Sequence, residues 1–84
     1  MTTIKTKILI VDDHPVTRAG IRSIIEDNDT IEIIGEAKDG RDAVNQVDAK
    51  KPDIVVMDIT MPHLSGIDAT KEIINKHPDV KMVL

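Results

Sequence analysis

The chain has 84 residues, enough for one small domain and a modest core. It contains no cysteine and no Phe, Tyr or Trp, which excludes disulfides, thiolate metal sites and aromatic stacking platforms for single-stranded nucleic acid. A formal net charge of −4, with lysines scattered among acids, gives no basic stripe for nucleic acid. No apolar stretch approaches the roughly 20 residues needed to span a bilayer, and Met1–Lys7 lacks a signal-peptide core, so a soluble, cytoplasmic protein is expected.

Strand-like and helix-like patterns alternate along the chain, which points to a parallel sheet built from βαβ units. Residues 7–11 form the first strand, whose apolar run Ile8-Leu9-Ile10-Val11 stops on Asp12-Asp13. His14-Pro15 opens a helix, because proline suits the first helical position. Val16, Gly20, Ile21, Ile24 and Ile25 fall on one face of it, and Asn28-Asp29 ends it. In residues 31–37, Glu32 and Glu36 alternate with apolar positions, which suits an edge strand. Asp39-Gly40 turns the chain, with Asp39 capping a second helix whose apolar face is Ala43, Val44 and Val47. Lys51-Pro52 stops that helix, since the residue before proline is pushed out of helical geometry.

Residues 53–58 form the third strand, where Ile54-Val55-Val56-Met57 ends on Asp58. A loop runs from Met61 to Gly66, and Ser65 caps a third helix with inner face Ile67, Thr70, Ile73 and Ile74. His77-Pro78 ends it, with His77 placed to interact with the helix dipole. Residues 80–84 begin a fourth strand. Right-handed crossovers and the edge character of 31–37 give the spatial order 2-1-3-4. The order reverses between strands 1 and 3, and open α/β sheets bind ligands outside the carboxyl ends of strands at such a point.

That placement brings Asp12, Asp13 and Asp58 together. Three like charges repel by about 4 kcal/mol per pair at 4 Å and an effective dielectric near 20. Either a carboxylate takes up a proton or a cation sits among them; a hard divalent ion such as Mg²⁺ suits oxygen ligands. Each residue also has a simpler reading. An Asp-Asp pair after a strand is common turn chemistry, and Asp58 alone could be a cap. Met57 and Met61 suit core filling. His14 and His63 flank the acidic site as loop histidines, with metal binding the alternative.

The motifs Ile8-Leu9-Ile10-Val11-Asp12-Asp13-His14-Pro15, Pro52-Asp53-Ile54-Val55-Val56-Met57-Asp58, and Asp58-Ile59-Thr60-Met61-Pro62 running to Ser65-Gly66 resemble those of response-regulator receiver domains. Asp39-Gly40 with Ala43 fits as well. The stretch from Asp12 through Arg18, Gly20, Ile21 and Arg22 looks most like the NarL/FixJ type. The resemblance implies a flavodoxin-like (CheY-like) doubly wound α/β fold over residues 1–84. It also implies a phospho-accepting signalling module rather than an enzyme: Asp58 receives a phosphoryl group from a histidine kinase with Mg²⁺. By the same resemblance Asp13 is a direct Mg²⁺ ligand, Asp12 binds through water, and the Thr60 carbonyl completes the set beside Asp58.

Compared with the family pattern, the chain stops before the Thr/Ser after strand four, the fifth-strand Lys, an aromatic switch residue and a helix-turn-helix domain. A truncated regulator is therefore expected. Its fourth strand or uncovered sheet face would favour self-association, and the fragment by itself would bind no nucleic acid or membrane. The alternative function is a phosphorylation-incompetent dimerisation module. A haloacid-dehalogenase-type phosphatase would need a second Asp two residues after the nucleophile, where this chain has Thr60.

Overall fold

A computed structural model describes residues 5–58 and 66–84. In chain order the elements are β1 (Thr6–Val11), α1 (Pro15–Glu26), β2 (Ile31–Ala37), α2 (Gly40–Lys50), β3 (Ile54–Met57), α3 (Gly66–Lys76) and β4 (Lys81–Val83). The four strands form one parallel sheet of order β2-β1-β3-β4, as the sequence pattern predicts.

Side chains alternate between the two faces along the central strands as a pleated sheet requires, and in β1 both faces are buried from Ile8 to Val11. Leu9, Val11, Val55 and Met57 face one side and join Ala43, Val44 and Val47 of α2 and Ala69 and Ile73 of α3 in a single core. Ile8 and Ile10 are also buried but stand outside that cluster, on the opposite face, where α1 lies against β1 and β2. With no aromatic side chain available, this core consists entirely of aliphatic residues and methionine.

The sequence assigned the inner faces of two helices too broadly. Val16 and Ile24 of α1 are 85% and 78% exposed, Gly20 is exposed, and only Ile21 and Ile25 are half-buried. In α3, Ile67 and Ile74 are exposed, whereas Ala69 and Ile73 are fully buried. Full burial thus falls partly on Ala69, a small residue that a hydrophobic count undervalues. His77 follows the last residue of α3, and its Nε2 also meets Asp48 Oδ1 of α2 at 2.7 Å. Its backbone N–H still closes the helix end by donating to the Ile73 carbonyl at 2.7 Å. The His77 hydrogen bond, with Lys76 nearby, lowers the Asp48 pKa from its ordinary value.

Edge strand β2 contains a bulge that the sequence reading did not foresee. The register with β1 shifts between Ile8 and Leu9, so Ile34 has no partner there. Two long α2 side chains close over it: Lys50 Nζ donates to the Ile34 carbonyl at 3.2 Å and Gln46 Nε2 to the Glu36 carbonyl at 2.8 Å. Gly35 lies beneath them; a Cβ there would stand 2.6 Å from Gln46 Oε1 and 2.7 Å from Lys50 Nζ. At the other end of the sheet, Asp53 fastens the strand starts. Its carboxylate accepts from the Lys7 N–H, its own N–H donates to the Lys7 carbonyl, and its carbonyl accepts from the Lys81 N–H.

Candidate functional site

Two interior strands ending level with one another build the site. Val11 pairs with Met57, so the next residues of both strands emerge side by side. The Asp58 N–H donates to the Val11 carbonyl at 2.9 Å, and the Asp12 N–H donates to the Ala37 carbonyl of β2 at 3.0 Å. The ladder thus runs past the strand ends and fixes the backbone from which these acids project.

Asp12 is buried, and Asp13 and Asp58 are half-buried. One ligand atom from each of Asp12, Asp13, His14 and Asp58 can be chosen so that all four lie within 4.8 Å of one another. The convergence expected of Asp12, Asp13 and Asp58 is present. Thr60, the fourth expected ligand, and His63 lie outside the described residues.

His14 N-caps α1 with an extended backbone (φ −104°, ψ 110°) that turns its ring back over the acids. Its N–H donates to Asp12 Oδ1 at 2.8 Å, and its Nδ1 lies 3.0 Å from that same oxygen. Nδ1 also lies 2.8 Å from Asp13 Oδ1. The hydrogen bond to Asp12, then the negative charge of Asp13, raises the His14 pKa above the ordinary histidine value, with Asp58 adding to the effect.

Asp13 Oδ1 is the observation that tests the site for a cation. It is buried and accepts no hydrogen bond, although His14 Nδ1 is close. A buried carboxylate oxygen without a hydrogen bond is costly; a positive charge offsets that cost, from the His14 ring when protonated or from a bound cation. Asp12, Asp13 and Asp58 therefore fit a hard divalent ion, whose ligands are oxygens, since one carboxylate oxygen of each lies within 4.8 Å of the others.

Arg18 contributes a contact that the sequence argument overlooked. Its Nη1 donates to the Asp12 carbonyl at 2.5 Å, while its Nε donates to Glu36 Oε1 at 3.1 Å. Arg22, one turn on, donates from Nε to Glu36 Oε2 at 2.8 Å. Glu36 thus anchors α1 to β2, and Arg18 carries that anchor to the backbone of the acidic turn. The available signal was the one-turn spacing of His14, Arg18 and Arg22. A cleft of about 300 Å³ opens at the opposite end of the sheet, around Lys51, Asp53 and His77, and none of the clustered acids lines it.

A family model described as the response regulator receiver domain matches residues 8–84. The chain belongs to the response regulator receiver domain family. Among curated relatives, transcriptional regulatory protein YdfI of Bacillus subtilis (strain 168) is 49% identical over 78 residues, covering 93% of this chain and 37% of that protein. Response regulator UvrY of Escherichia coli O157:H7 is 46% identical over 77 residues, covering 92% and 35%. This receiver domain thus spans little more than a third of the curated relatives it matches, which are of the NarL/FixJ type.

Solved structures agree on the fold. The response regulator domain of Thermotoga maritima CheB is similar with a TM-score of 0.85 at 40% identity, covering 88% of this chain and 55% of that one. A LuxR-family two-component response regulator from Aurantimonas sp. SI85-9A1 gives 0.87 at 37% identity, covering 93% and 56%. The CheY-like, doubly wound architecture is therefore shown both by the sheet order and by these neighbours.

Proposed function

We propose that this receiver domain accepts a phosphoryl group on Asp58 from a histidine kinase, with Mg²⁺ held by Asp12, Asp13, Asp58 and the Thr60 carbonyl. The observation that carries the reading is the meeting of three carboxylates at the switch point, with one Asp13 oxygen buried and accepting no hydrogen bond. An Asp58 carboxylate oxygen attacks phosphorus, an acyl-phosphate bond forms, and the bond to the donor breaks with its electron pair leaving on the donor. When bound, Mg²⁺ neutralises the phosphoryl oxygens and so supplies the charge stabilisation on which phosphoryl transfer mainly depends.

The chain's own residues have separate tasks. The ladder bond to Val11 holds the backbone of Asp58. Arg18 secures the Asp12 carbonyl and so the backbone of the acidic turn. The modification switches a signal rather than turning over an external substrate, which makes this a signalling module and not an enzyme. The likeness to transcriptional regulatory protein YdfI supports transcription as the output, exerted through a helix-turn-helix domain in a longer protein. A module that only associates with itself through the fourth strand would leave the converging carboxylates unexplained.

Intact-mass measurement after exposure to acetyl phosphate and Mg²⁺ tests the reading. The expected result is a gain of one phosphoryl group that disappears in Asp58→Asn and on chelation of the metal. An adduct that persists in Asp58→Asn would place the chemistry elsewhere and overturn the assignment.

A further inference from the structure

We propose that Arg18 is a positioning residue: held by Glu36, it sets the acidic turn through the Asp12 carbonyl and so tunes how tightly the site takes its cation. The inference rests on the acidic cluster being that site, and it goes further by giving a side chain outside the carboxylate set a measurable share of its affinity. The strand ladder explains why a side chain is needed there. The Asp12 N–H donates to the Ala37 carbonyl at 3.0 Å. In a continuing parallel ladder the Asp12 carbonyl would then accept from the N–H of residue 39. β2 ends at Ala37, however, and Asp39 caps α2. Asp12 is buried, and a buried carbonyl left open is costly. Arg18 Nη1 donates to it in place of the next ladder bond.

A guanidinium suits the task because its donors form a rigid fork. While Nη1 holds the Asp12 carbonyl, Nε donates to Glu36 Oε1 at 3.1 Å, and Glu36 stands next to Ala37 on β2. The contacts close a circuit. Asp12 N–H meets β2, the β2 residue Glu36 meets Arg18, and Arg18 returns to the Asp12 carbonyl. Both backbone polar groups of Asp12 are thereby tied to one strand, so the turn into Asp13 starts from a fixed peptide. Arg22 holds the other Glu36 oxygen, with Nε at 2.8 Å, and its further contact is Glu26 of its own helix. It shares the anchor on β2 without the bond to the acidic turn, which makes it an internal control.

Charge and position predict opposite signs for the loss of Arg18. By Coulomb's law alone, removing a cation beside three carboxylates leaves the site more negative, and Mg²⁺ binds more tightly. By position, removal frees the turn, its carboxylates must be ordered as the ion binds, and Mg²⁺ binds more weakly. Groups that orient metal ligands from outside typically contribute about tenfold to a hundredfold in affinity. The positioning effect therefore outweighs the charge effect at an exposed-edge site, where solvent screens the Arg18 charge.

Isothermal titration of the full-length protein with Mg²⁺ tests this, comparing wild type, Arg18→Met, Arg18→Lys, Arg22→Met and Asp13→Ala. Arg18→Met should weaken Mg²⁺ about tenfold. Arg18→Lys should stay weakened, because it keeps the charge without the fork. Arg22→Met should bind Mg²⁺ as the wild type does. In the metal-free protein, amide exchange at His14, whose N–H donates to Asp12 Oδ1, should quicken in Arg18→Met and not in Arg22→Met. If Arg18→Met does not fold, as urea unfolding would reveal, Arg18→Lys against Arg22→Met decides the same question. Unchanged or tighter Mg²⁺ binding in Arg18→Met, wild-type affinity in Arg18→Lys, or equal losses at Arg18 and Arg22 overturns the positioning inference while leaving the carboxylate site standing. Mg²⁺ binding insensitive to Asp13→Ala overturns the site reading, and this inference with it.

Discussion

Helices α1 and α2 lie on opposite faces of the same sheet, and the one richer in large aliphatic residues is the less buried. α1 carries Val16, Ile21, Ile24 and Ile25, yet none of its residues is buried. α2 has only Ala43, Val44 and Val47 on its apolar face, and all three are buried. The difference lies in what surrounds each helix. α2 packs on the sheet and against α3, so its narrow face is covered from two directions. α1 touches β1 and β2 and is held largely by the polar grip of Arg18 and Arg22 on Glu36. Apolar content selects a helix and a face; the neighbouring element decides how much of that face leaves water.

The sharpest way to break this contrast is to shorten one side chain on each helix. Val47→Ala removes two methyl groups from a fully buried site and should lower unfolding free energy by about 2 kcal/mol, transfer and cavity contributions together. Ile24→Ala removes more hydrocarbon from a site that is 78% exposed and should change stability by less than about 0.5 kcal/mol. Urea midpoints of the two variants, with unchanged slopes, make the comparison. Similar losses in both would show that the outer face of α1 is covered in solution.

Next in size is a substitution at the β2 bulge, where α2 reaches across to the edge strand. Gly35→Ala brings a methyl against Gln46 Oε1 and Lys50 Nζ, both ends of flexible side chains, and within 3.2 Å of Leu9 Cδ1. The two side chains can swing aside, but their hydrogen bonds to the Glu36 and Ile34 carbonyls are then lost. The expected cost is about 1 kcal/mol, with faster amide exchange at the β2 edge as its signature. A neutral result would mean that those bonds contribute nothing net.

A smaller, pH-dependent effect belongs to the polar side of the contrast. The Arg22 hydrogen bond, reinforced by Arg18, holds the Glu36 pKa below its ordinary value of 4.5. A depressed carboxylate stabilises the fold above its unfolded pKa, and that stability is lost as pH falls through the folded value. Glu36→Gln should therefore cost somewhat under about 1 kcal/mol near neutral pH, the pair being partly exposed and screened. The gap from wild type should close as pH drops below about 4.5. A gap that stays constant through acid would assign the effect to packing instead of charge.

The elements differ in how openly the sequence announces them. Strand order was readable because Glu32 and Glu36 mark an edge while the β1 and β3 runs show no charge until they stop on aspartate. The meeting of Asp12, Asp13 and Asp58 follows from that order, since paired strands that end level must project their next residues together. The β2 bulge was missed. Ile33-Ile34 breaks the polar and apolar alternation and Gly35 follows, a weak signal that the reading passed over, and the side chains that close over the bulge come from α2. The buried face of α3 was misjudged because Ala69 is fully buried, and small residues give weak periodic signals. His14 was visible as a neighbour of the acids, but the local turn that carries its ring back over Asp12 and Asp13 was not.

The ends of the two helices extend the contrast and give the smallest expected change, with the opposite sign. α1 closes on Asp27 in ordinary right-handed geometry, at φ −69° and ψ −10°. α2 closes on Lys51 at φ 51° and ψ 62°, the one non-glycine residue with positive φ among those described. Its N–H still donates to the Val47 carbonyl, so the cap bond forms despite the strained backbone. Left-handed geometry costs a side-chain-bearing residue roughly 1–2 kcal/mol, and glycine escapes that cost while losing more chain entropy on folding. Lys51→Gly should therefore stabilise the domain by about 0.5 kcal/mol, seen as a small rise in urea midpoint with an unchanged slope. Asp27→Gly, at a position that needs no such freedom, should instead destabilise by a similar amount. If both substitutions moved the midpoint the same way, unfolded-chain entropy alone would account for them, and the left-handed cap would carry no measurable strain.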